Sequence, residues 1–234
     1  MNKHVLIFRH LECEGPGYLA DYLDQAGIAH RLIRIDCGES APEQLEPDVA
    51  GLVFMGGPMS VNDPLPWLNA ELNLVRAAAK TGLPVLGHCL GGQIISKALG
   101  ATIAPMGFRE IGWHPVERCD NAAPSEWLGE LPASFDAFHW HGEHFTLPTG
   151  AQHLLRSAAC EHQAYALGNM LALQCHVEMT PALVHEWCRL YARELDAPTG
   201  SVQDAEAMTA GLDTKTAQLN RIADTLYGHW ISRL

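Results

Sequence analysis

The sequence predicts an α/β fold of three layers, in which helices cover both faces of a mostly parallel central sheet with an added antiparallel hairpin layer. Two patterns predict this fold. Between residues 5 and 88, short apolar segments alternate with segments of helical periodicity, as is typical of parallel strands joined by helices. Between residues 111 and 174, the apolar segments are shorter and are separated by turn residues, which favours antiparallel hairpins.

Each element follows from an apolar run and from the residues that interrupt it. In the first half we expect strands at residues 5–8, 30–35, 49–55 and 85–88, helices at 17–26 and 66–80, and a loop or short helix at 40–48. Turns at Pro132 and at residues 148–150 and 168–169 divide the hairpin region. Towards the C-terminus we expect helices at residues 181–195 and 202–227, joined by residues 196–200.

The composition indicates one globular domain. A chain of 234 residues with 47% hydrophobic residues is long enough to bury a core. We expect residues 1–234 to form a single domain, with residues 196–234 as a C-terminal helical extension. Fifteen basic against 27 acidic residues give a net charge of −12, which repels nucleic-acid phosphates and anionic membranes. We therefore expect neither nucleic acid nor a membrane as a partner.

Cysteine usage and the N-terminus indicate a cytoplasmic protein. Seven cysteines at irregular spacing argue against a disulfide framework and favour a reducing compartment. The apolar part of the first ten residues is too short for a signal peptide. No apolar stretch approaches the length of a membrane span.

The most informative segment, residues 84–93, reads as an apolar strand, a cysteine at a tight corner and a helix that begins at once. Gly87, Cys89 and Gly91 match the G-x-nucleophile-x-G pattern of a nucleophile elbow, in which glycines let a strand and a helix approach closely. The thiol then lies at a helix N-terminus, which favours the thiolate. The backbone N–H of Leu90 points the same way and can stabilise a developing oxyanion. The sequence therefore predicts Cys89 as a nucleophile rather than a buried structural cysteine.

A base for this nucleophile is predicted at the end of a second apolar strand, residues 170–178. His176 and Glu178 are two positions apart, so they share a face if the strand extends that far. Glu178 could then hold one ring nitrogen of His176 while the other nitrogen faces Cys89, which is the arrangement of a catalytic triad.

With these residues together, the chain resembles the class I glutamine amidotransferases, whose triad uses a cysteine. The resemblance covers about residues 5–191, and it rests on residues 55–58, 87–93 and 174–178. Residues 14–17, 57–63 and 139–143 further resemble the free-standing, GMP synthase-like members. Cys175 and Val177 depart from the usual final motif Q-F-H-P-E. Because neither position supplies a reacting group, we expect activity to survive this change.

The resemblance implies a flavodoxin-like version of the three-layer fold and a set of site residues. It implies Cys89, His176 and Glu178 as the triad, with an oxyanion hole from the backbone N–H groups of Gly57 and Leu90. It also implies substrate contacts from Gln93, Gly56, Pro58, His139, Trp140 and His141.

Several histidines and one glutamate leave alternatives open. His139 and His141 share a strand face and could line the substrate pocket, serve only the structure, or bind a metal. We expect no metal, because zinc needs three or four ligands and the sequence has no C-x-x-C pair. His88 either perturbs the pKa of the Cys89 thiol or points into the flank of the sheet. We favour the second alternative. His10 and Glu14 could meet an acceptor substrate, although simple surface placement is slightly favoured.

The implied activity is release of ammonia from the side-chain amide of L-glutamine through a γ-glutamyl thioester, with no cofactor. The sequence contains no G-x-x-x-x-G-K-[ST] loop, so an ammonia-accepting synthetase would be a separate partner. Two alternatives remain open: a stand-alone γ-glutamyl peptidase that acts on small γ-glutamyl compounds, and a non-catalytic member of the fold that senses oxidation at Cys89.

Overall fold

A computed structural model describes residues 3–119 and 126–234, and in this part of the chain nine strands form one sheet. The strands are β1 (His4–Arg9), β2 (His30–Arg34), β3 (Val49–Phe54), β4 (Val85–His88), β5 (Ile103–Arg118), β6 (Ser134–Phe145), β7 (Gln152–Ser157), β8 (Ala164–Leu167) and β9 (Met170–Leu173). The α-helices are α1 (Tyr18–Gln25), α2 (Leu68–Thr81), α3 (Leu90–Ala98), α4 (Pro181–Leu190), α5 (Ala205–Thr209) and α6 (Leu212–Ile231). Short 3-10 helices occupy Ile35–Cys37 and Ala192–Leu195.

The sheet is parallel at one end and antiparallel at the other. Its strand order is β2-β1-β3-β4-β9-β8-β7-β5-β6. The pairs from β2 to β9 are parallel, and the pairs from β9 to β6 are antiparallel. The predicted α/β fold is therefore confirmed, and the antiparallel strands continue the same sheet at its edge.

Both faces of the parallel strands are buried, as expected when helices cover them. Along β1, Val5 and Ile7 belong to one hydrophobic cluster, whereas Leu6 and Phe8 belong to a second. This alternation follows from the two-residue period of a strand. The helices on the two faces therefore enclose two separate cores with the sheet between them.

The C-terminal helix α6 contributes to the first of these cores. Leu226, Tyr227 and Trp230 are fully buried there together with Val5 of β1 and Leu19 of α1. The structure differs from the expected single helix over residues 202–227, because Gly211 adopts a left-handed conformation (φ 64°) that separates α5 from α6. Similarly, the helix expected over residues 181–195 ends at Leu190 and is followed by a 3-10 helix. None of the helices in the described residues is long and apolar enough to cross a membrane.

Replacement of Trp230 by alanine should destabilise the whole protein. The indole is fully buried, and the absence of a side chain at Gly51 leaves the space that it occupies, since a Cβ there would lie 3.1 Å from the ring. We expect Trp230→Ala to lower the free energy of unfolding by about 3–5 kcal/mol, measured by denaturant titration. Leu190→Ala, at a side chain 44% exposed, is the control and should change stability by less than about 1 kcal/mol. Equal small effects would contradict a structural role for α6.

Candidate active site

Cys89 lies at a sharp corner between β4 and α3. Its φ of 50° is the only positive φ outside glycine in the described part of the chain, and its N–H donates to the Leu173 carbonyl at 2.8 Å. A Cβ on Gly87 would lie 2.4 Å from the Gly91 backbone, and one on Gly91 would lie 1.9 Å from the Phe54 carbonyl oxygen. Only glycine fits at these two positions, so the close approach of β4 and α3 depends on both glycines.

His176 and Glu178 reach the same place from the end of β9. The strand ends at Leu173 rather than at Glu178, and an isolated bridge to Phe138 of β6 then holds His176, whose N–H donates to the Phe138 carbonyl at 2.8 Å. The Nδ1 of His176 lies 2.6 Å from Glu178 Oε1, and the Cys89 thiol is close enough to the same ring to raise its pKa. The structure therefore brings all three predicted residues together, with Nε2 left to face the thiol.

The electrostatics of this group favour a charged imidazole and a charged carboxylate. Burial opposes charge on His176, but the Glu178 carboxylate and the Cys89 thiol outweigh it and raise the pKa of His176 well above its ordinary value. Burial would also raise the pKa of Glu178, but His176 and His88 hold it at about 2. Glu178 thus stabilises a protonated His176 beside the thiol.

The backbone of residues 56–57 passes close to the start of α3. Gly57 lines the cavity next to Cys89, and a Cβ on it would lie 2.6 Å from Leu90 Cδ2. Leu90 is the first residue of α3, so its N–H has no acceptor within the helix. The two N–H groups expected to form an oxyanion hole therefore belong to adjacent segments beside the thiol.

A cavity of about 570 Å³ opens at Cys89. Of the six predicted substrate contacts, four line it: Pro58, Gln93, Trp140 and His141. Gly56 does not, because it packs behind the triad, where a Cβ would lie 3.2 Å from His176 Cε1. His139 is fully buried and does not line the cavity either, so it lies behind the residues that form the cavity wall.

Comparisons with known proteins identify the family of this chain and several of its relatives. The sequence model of the family described as "Glutamine amidotransferase class-I" matches residues 17–186. The chain belongs to this family. A crystal structure of a glutamine amidotransferase from Methylobacillus flagellatus superposes with a TM-score of 0.94 at 39% identity, covering 100% of this chain and 96% of that one. A glutamine amidotransferase from Thermotoga maritima gives 0.88 at 26% identity, with 99% of both chains covered.

Two curated relatives give further matches to this class I amidotransferase. The GMP synthase of Thermomicrobium roseum is 35% identical over 162 residues, which are 69% of this chain but only 29% of that protein. The glutamine amidotransferase-like protein YfeJ of Salmonella typhimurium is 28% identical over 186 residues, 77% of each chain. The chain thus spans less than a third of that GMP synthase and most of YfeJ.

His139 and His141 of this class I amidotransferase gather at a buried carboxylate that the sequence analysis missed. Ring nitrogens of both residues and one oxygen of Glu110 lie within 4.8 Å of one another. The Glu110 carboxylate already accepts hydrogen bonds from His141 Nε2 (2.9 Å), Ser157 Oγ (2.7 Å) and Gln163 Nε2 (2.6 Å). Despite its burial, the pKa of Glu110 is lowered to about 2, chiefly by His141 and His139. Because these donors occupy the carboxylate, the cluster is best described as a hydrogen-bonded support for the cavity wall.

Gln174 is a second site residue to which sequence reasoning gave no role. Its amide oxygen accepts a hydrogen bond from Gln93 Nε2 at 3.3 Å, and its own Nε2 donates to Cys89 Sγ at 3.6 Å. Only its place in the 174–178 motif signalled it. Gln93 and Gln174 therefore form a chain of amide groups that ends at the thiol.

The residues whose roles were left open are all buried near the site. His88 contacts the Tyr227 hydroxyl at 3.1 Å and lies 3.7 Å from Glu178 Oε2, and burial lowers its pKa. His10 and Glu14 are 3% and 7% exposed, so the slightly favoured surface placement of these two residues is wrong. Both residues follow the end of β1, and their partners lie on distant segments, which the sequence could not reveal.

The Glu14 carboxyl should lower the stability of the protein as the pH rises, whereas most carboxylates in proteins have the opposite effect. Burial raises its pKa from 4.5 to about 7 although His176 opposes the shift. The folded state therefore keeps Glu14 neutral between pH 4.5 and 7 while the unfolded state ionises it, so its contribution to stability is lost as the pH rises through this range. We expect Glu14→Gln to raise the free energy of unfolding by about 1–3 kcal/mol at pH 8 and to change it little at pH 4.5.

The measurement is denaturant unfolding at both pH values. The amide oxygen that the Glu14→Gln variant carries would still accept the hydrogen bond that the Tyr191 hydroxyl donates to Glu14 Oε1 at 3.3 Å. Glu12→Gln, which removes an exposed carboxylate two positions away, is the control. A gain that is the same at both pH values would contradict the prediction.

Proposed function

We propose that this protein hydrolyses the side-chain amide of L-glutamine, with Cys89 as nucleophile, His176 as acid and base, and Glu178 as the residue that orients His176. The observation that carries the proposal is the convergence of three groups at one end of the sheet: Cys89 lines the cavity, His176 Nδ1 lies 2.6 Å from Glu178 Oε1, and the thiol helps to raise the pKa of His176. Family membership supports glutamine amide hydrolysis in general.

In the first half-reaction, the Cys89 sulfur attacks the amide carbon of glutamine, and the carbonyl oxygen becomes an oxyanion. The N–H groups of Gly57 and Leu90 are proposed to stabilise that charge, and one such donor typically lowers a barrier by about 3–4 kcal/mol. The tetrahedral intermediate then collapses. Its carbon–nitrogen bond breaks, protonated His176 gives its proton to the leaving nitrogen, ammonia departs and a γ-glutamyl thioester remains on Cys89.

In the second half-reaction, neutral His176 removes a proton from water, which attacks the thioester carbon. The carbon–sulfur bond breaks, glutamate is released and the Cys89–His176 pair is restored. Glu178 stabilises the protonated ring in both halves, which agrees with the raised pKa of His176.

The size of the cavity also favours a second candidate, a γ-glutamyl peptidase. At about 570 Å³, the cavity lies in the range of roughly 300–1,000 Å³ that drug-sized ligands occupy, so it offers more space than a free amino acid fills. The same triad chemistry would cleave a γ-glutamyl bond to a larger amine. A γ-glutamyl peptide is therefore the second substrate to test.

The fate of the ammonia divides the two candidates. Relatives named GMP synthase match this chain over less than a third of their own length, and an ammonia-accepting synthetase is the partner that an amidotransferase activity would require. Glutaminase activity that rises sharply when such a partner is added would support an amidotransferase. Efficient cleavage of γ-glutamyl peptides by the protein alone would support the peptidase.

Replacement of Cys89 by alanine should abolish turnover of both substrates, because the covalent intermediate can no longer form. The measurement is release of glutamate, and of ammonia from glutamine, after incubation with glutamine or a γ-glutamyl peptide. Cys37→Ala is the matched control, since Cys37 is the exposed free cysteine and does not line the cavity; it should keep full activity.

Turnover that persists in Cys89→Ala would overturn the assignment of the nucleophile. If the unmodified protein turned over neither substrate, alone or with a partner, the result would favour the non-catalytic, redox-sensing alternative.

A further inference from the structure

His10 occupies a buried position directly behind the 56–57 segment. Its Nδ1 lies 3.1 Å from the Met55 carbonyl oxygen and 3.3 Å from that of Gly56. Its Nε2 lies 3.0 Å from Glu71 Oε2 on α2. His10 follows β1, whereas Gly56 follows β3, so the imidazole links the ends of two strands to a helix.

The partners of His10 determine where its protons lie. Backbone carbonyl oxygens can only accept hydrogen bonds, so Nδ1 must carry a proton that it donates towards Met55 and Gly56. On the other side, one proton is shared between Nε2 and the Glu71 carboxylate. The side chains of both His10 and Glu71 are 0% exposed, so this pair satisfies two polar groups that would be costly to bury alone.

The Gly56 carbonyl belongs to the same peptide unit as the Gly57 N–H. The described chain contains no cis peptide bond, and in a trans peptide the C=O and N–H groups point in opposite directions. A hydrogen bond that draws the Gly56 carbonyl towards His10 therefore directs the Gly57 N–H away from His10. Gly57 itself lines the cavity at Cys89.

We propose that His10, held by Glu71, is a positioning residue that orients the Gly56–Gly57 peptide so that its N–H faces the oxyanion formed at Cys89. The inference rests on the proposed function, because it concerns the transition state of that reaction. His10 touches no reacting atom. It acts through one peptide plane, whose hydrogen bond at the carbonyl also polarises the N–H at the other end.

The surroundings leave the imidazole and the peptide little freedom. The ring of Trp67 packs against His10 with its centroid 4.7 Å away. On the peptide side, a Cβ at Gly56 would lie 2.4 Å from Glu14 Oε2, and one at Gly57 would lie 3.4 Å from His10 Cβ. Neighbours this close restrict rotation of the peptide while His10 holds its carbonyl. Loss of His10 would remove the hydrogen bond that selects this orientation.

The test compares His10→Leu, which removes the donor but keeps apolar bulk, with His10→Asn, whose side-chain amide can place an N–H near the position of Nδ1. We expect His10→Leu to lower kcat for glutamine roughly 10- to 100-fold with KM changed less than about 3-fold. This loss is smaller than the ~10²–10³-fold loss typical when an oxyanion donor is removed outright. His10→Asn should recover most of the lost kcat.

Two controls separate positioning from general damage. The rate at which iodoacetamide alkylates Cys89 requires the thiol and His176 but no oxyanion, so it should be unchanged in His10→Leu. His153→Leu replaces a histidine of the antiparallel end whose Nε2 lies near the Leu155 and Glu161 carbonyls, and it should keep wild-type kcat.

The outcomes are distinct. Unchanged kcat in a folded His10→Leu protein would overturn the inference alone, as would a parallel loss of kcat, glutamine binding and alkylation rate, which would indicate a merely structural histidine. A wild-type protein that turns over neither glutamine nor γ-glutamyl peptides would overturn the proposed function, and this inference with it.

Discussion

The parallel pairing of β4 with β9 is the constraint on which the candidate site depends. Leu173, the last residue of β9, pairs with His88 and accepts the hydrogen bond from the Cys89 N–H. The two strands therefore end side by side, and the chain that leaves β9 must pass the corner at Cys89. β9 is also the strand at which the sheet changes from parallel to antiparallel. The β6 strand that returns from the antiparallel part then holds His176 in place through Phe138.

Three buried carboxylates around this junction are each paired with a histidine. Glu178 contacts His176, Glu71 contacts His10, and Glu110 contacts His141. An unpaired buried charge is costly, whereas a hydrogen-bonded pair with no net charge is tolerated. Each pair fixes a ring by one nitrogen and leaves the other to a neighbour: the thiol for His176, a backbone carbonyl for His10 and for His141. The same arrangement thus occurs at three places in one region: at the proposed catalytic histidine, behind the 56–57 segment and in the wall of the cavity.

Where the sequence reasoning succeeded, it relied on the steric requirements of neighbouring residues or on the spacing of residues along the chain. The glycines at 87 and 91 leave one way for a strand to meet a helix, so the corner at Cys89 was readable from its own residues. His176 and Glu178 were found through their spacing, although β9 ends at Leu173 and a single bridge, not strand alternation, places them. It misplaced His10 and Glu14, whose burial comes from other segments, and it did not distinguish His139 and Gly56 from the residues that line the cavity. Glu110 was missed because its only signal is the set of partners that it meets, and Gln174 was given no role although it begins the 174–178 motif.

The sequence by itself determined the fold class, the corner at Cys89 and the identity of the residues that meet there, because glycine patterns and apolar periodicity act over a few neighbouring residues. Only the tertiary structure decided which side chains are buried and which line the cavity. Burial at the end of β1 depends on α2 and on the C-terminal segments packed over it, and the environment of a histidine depends on oxygens contributed by distant strands. Such contacts join residues far apart in the chain, so no local pattern records them.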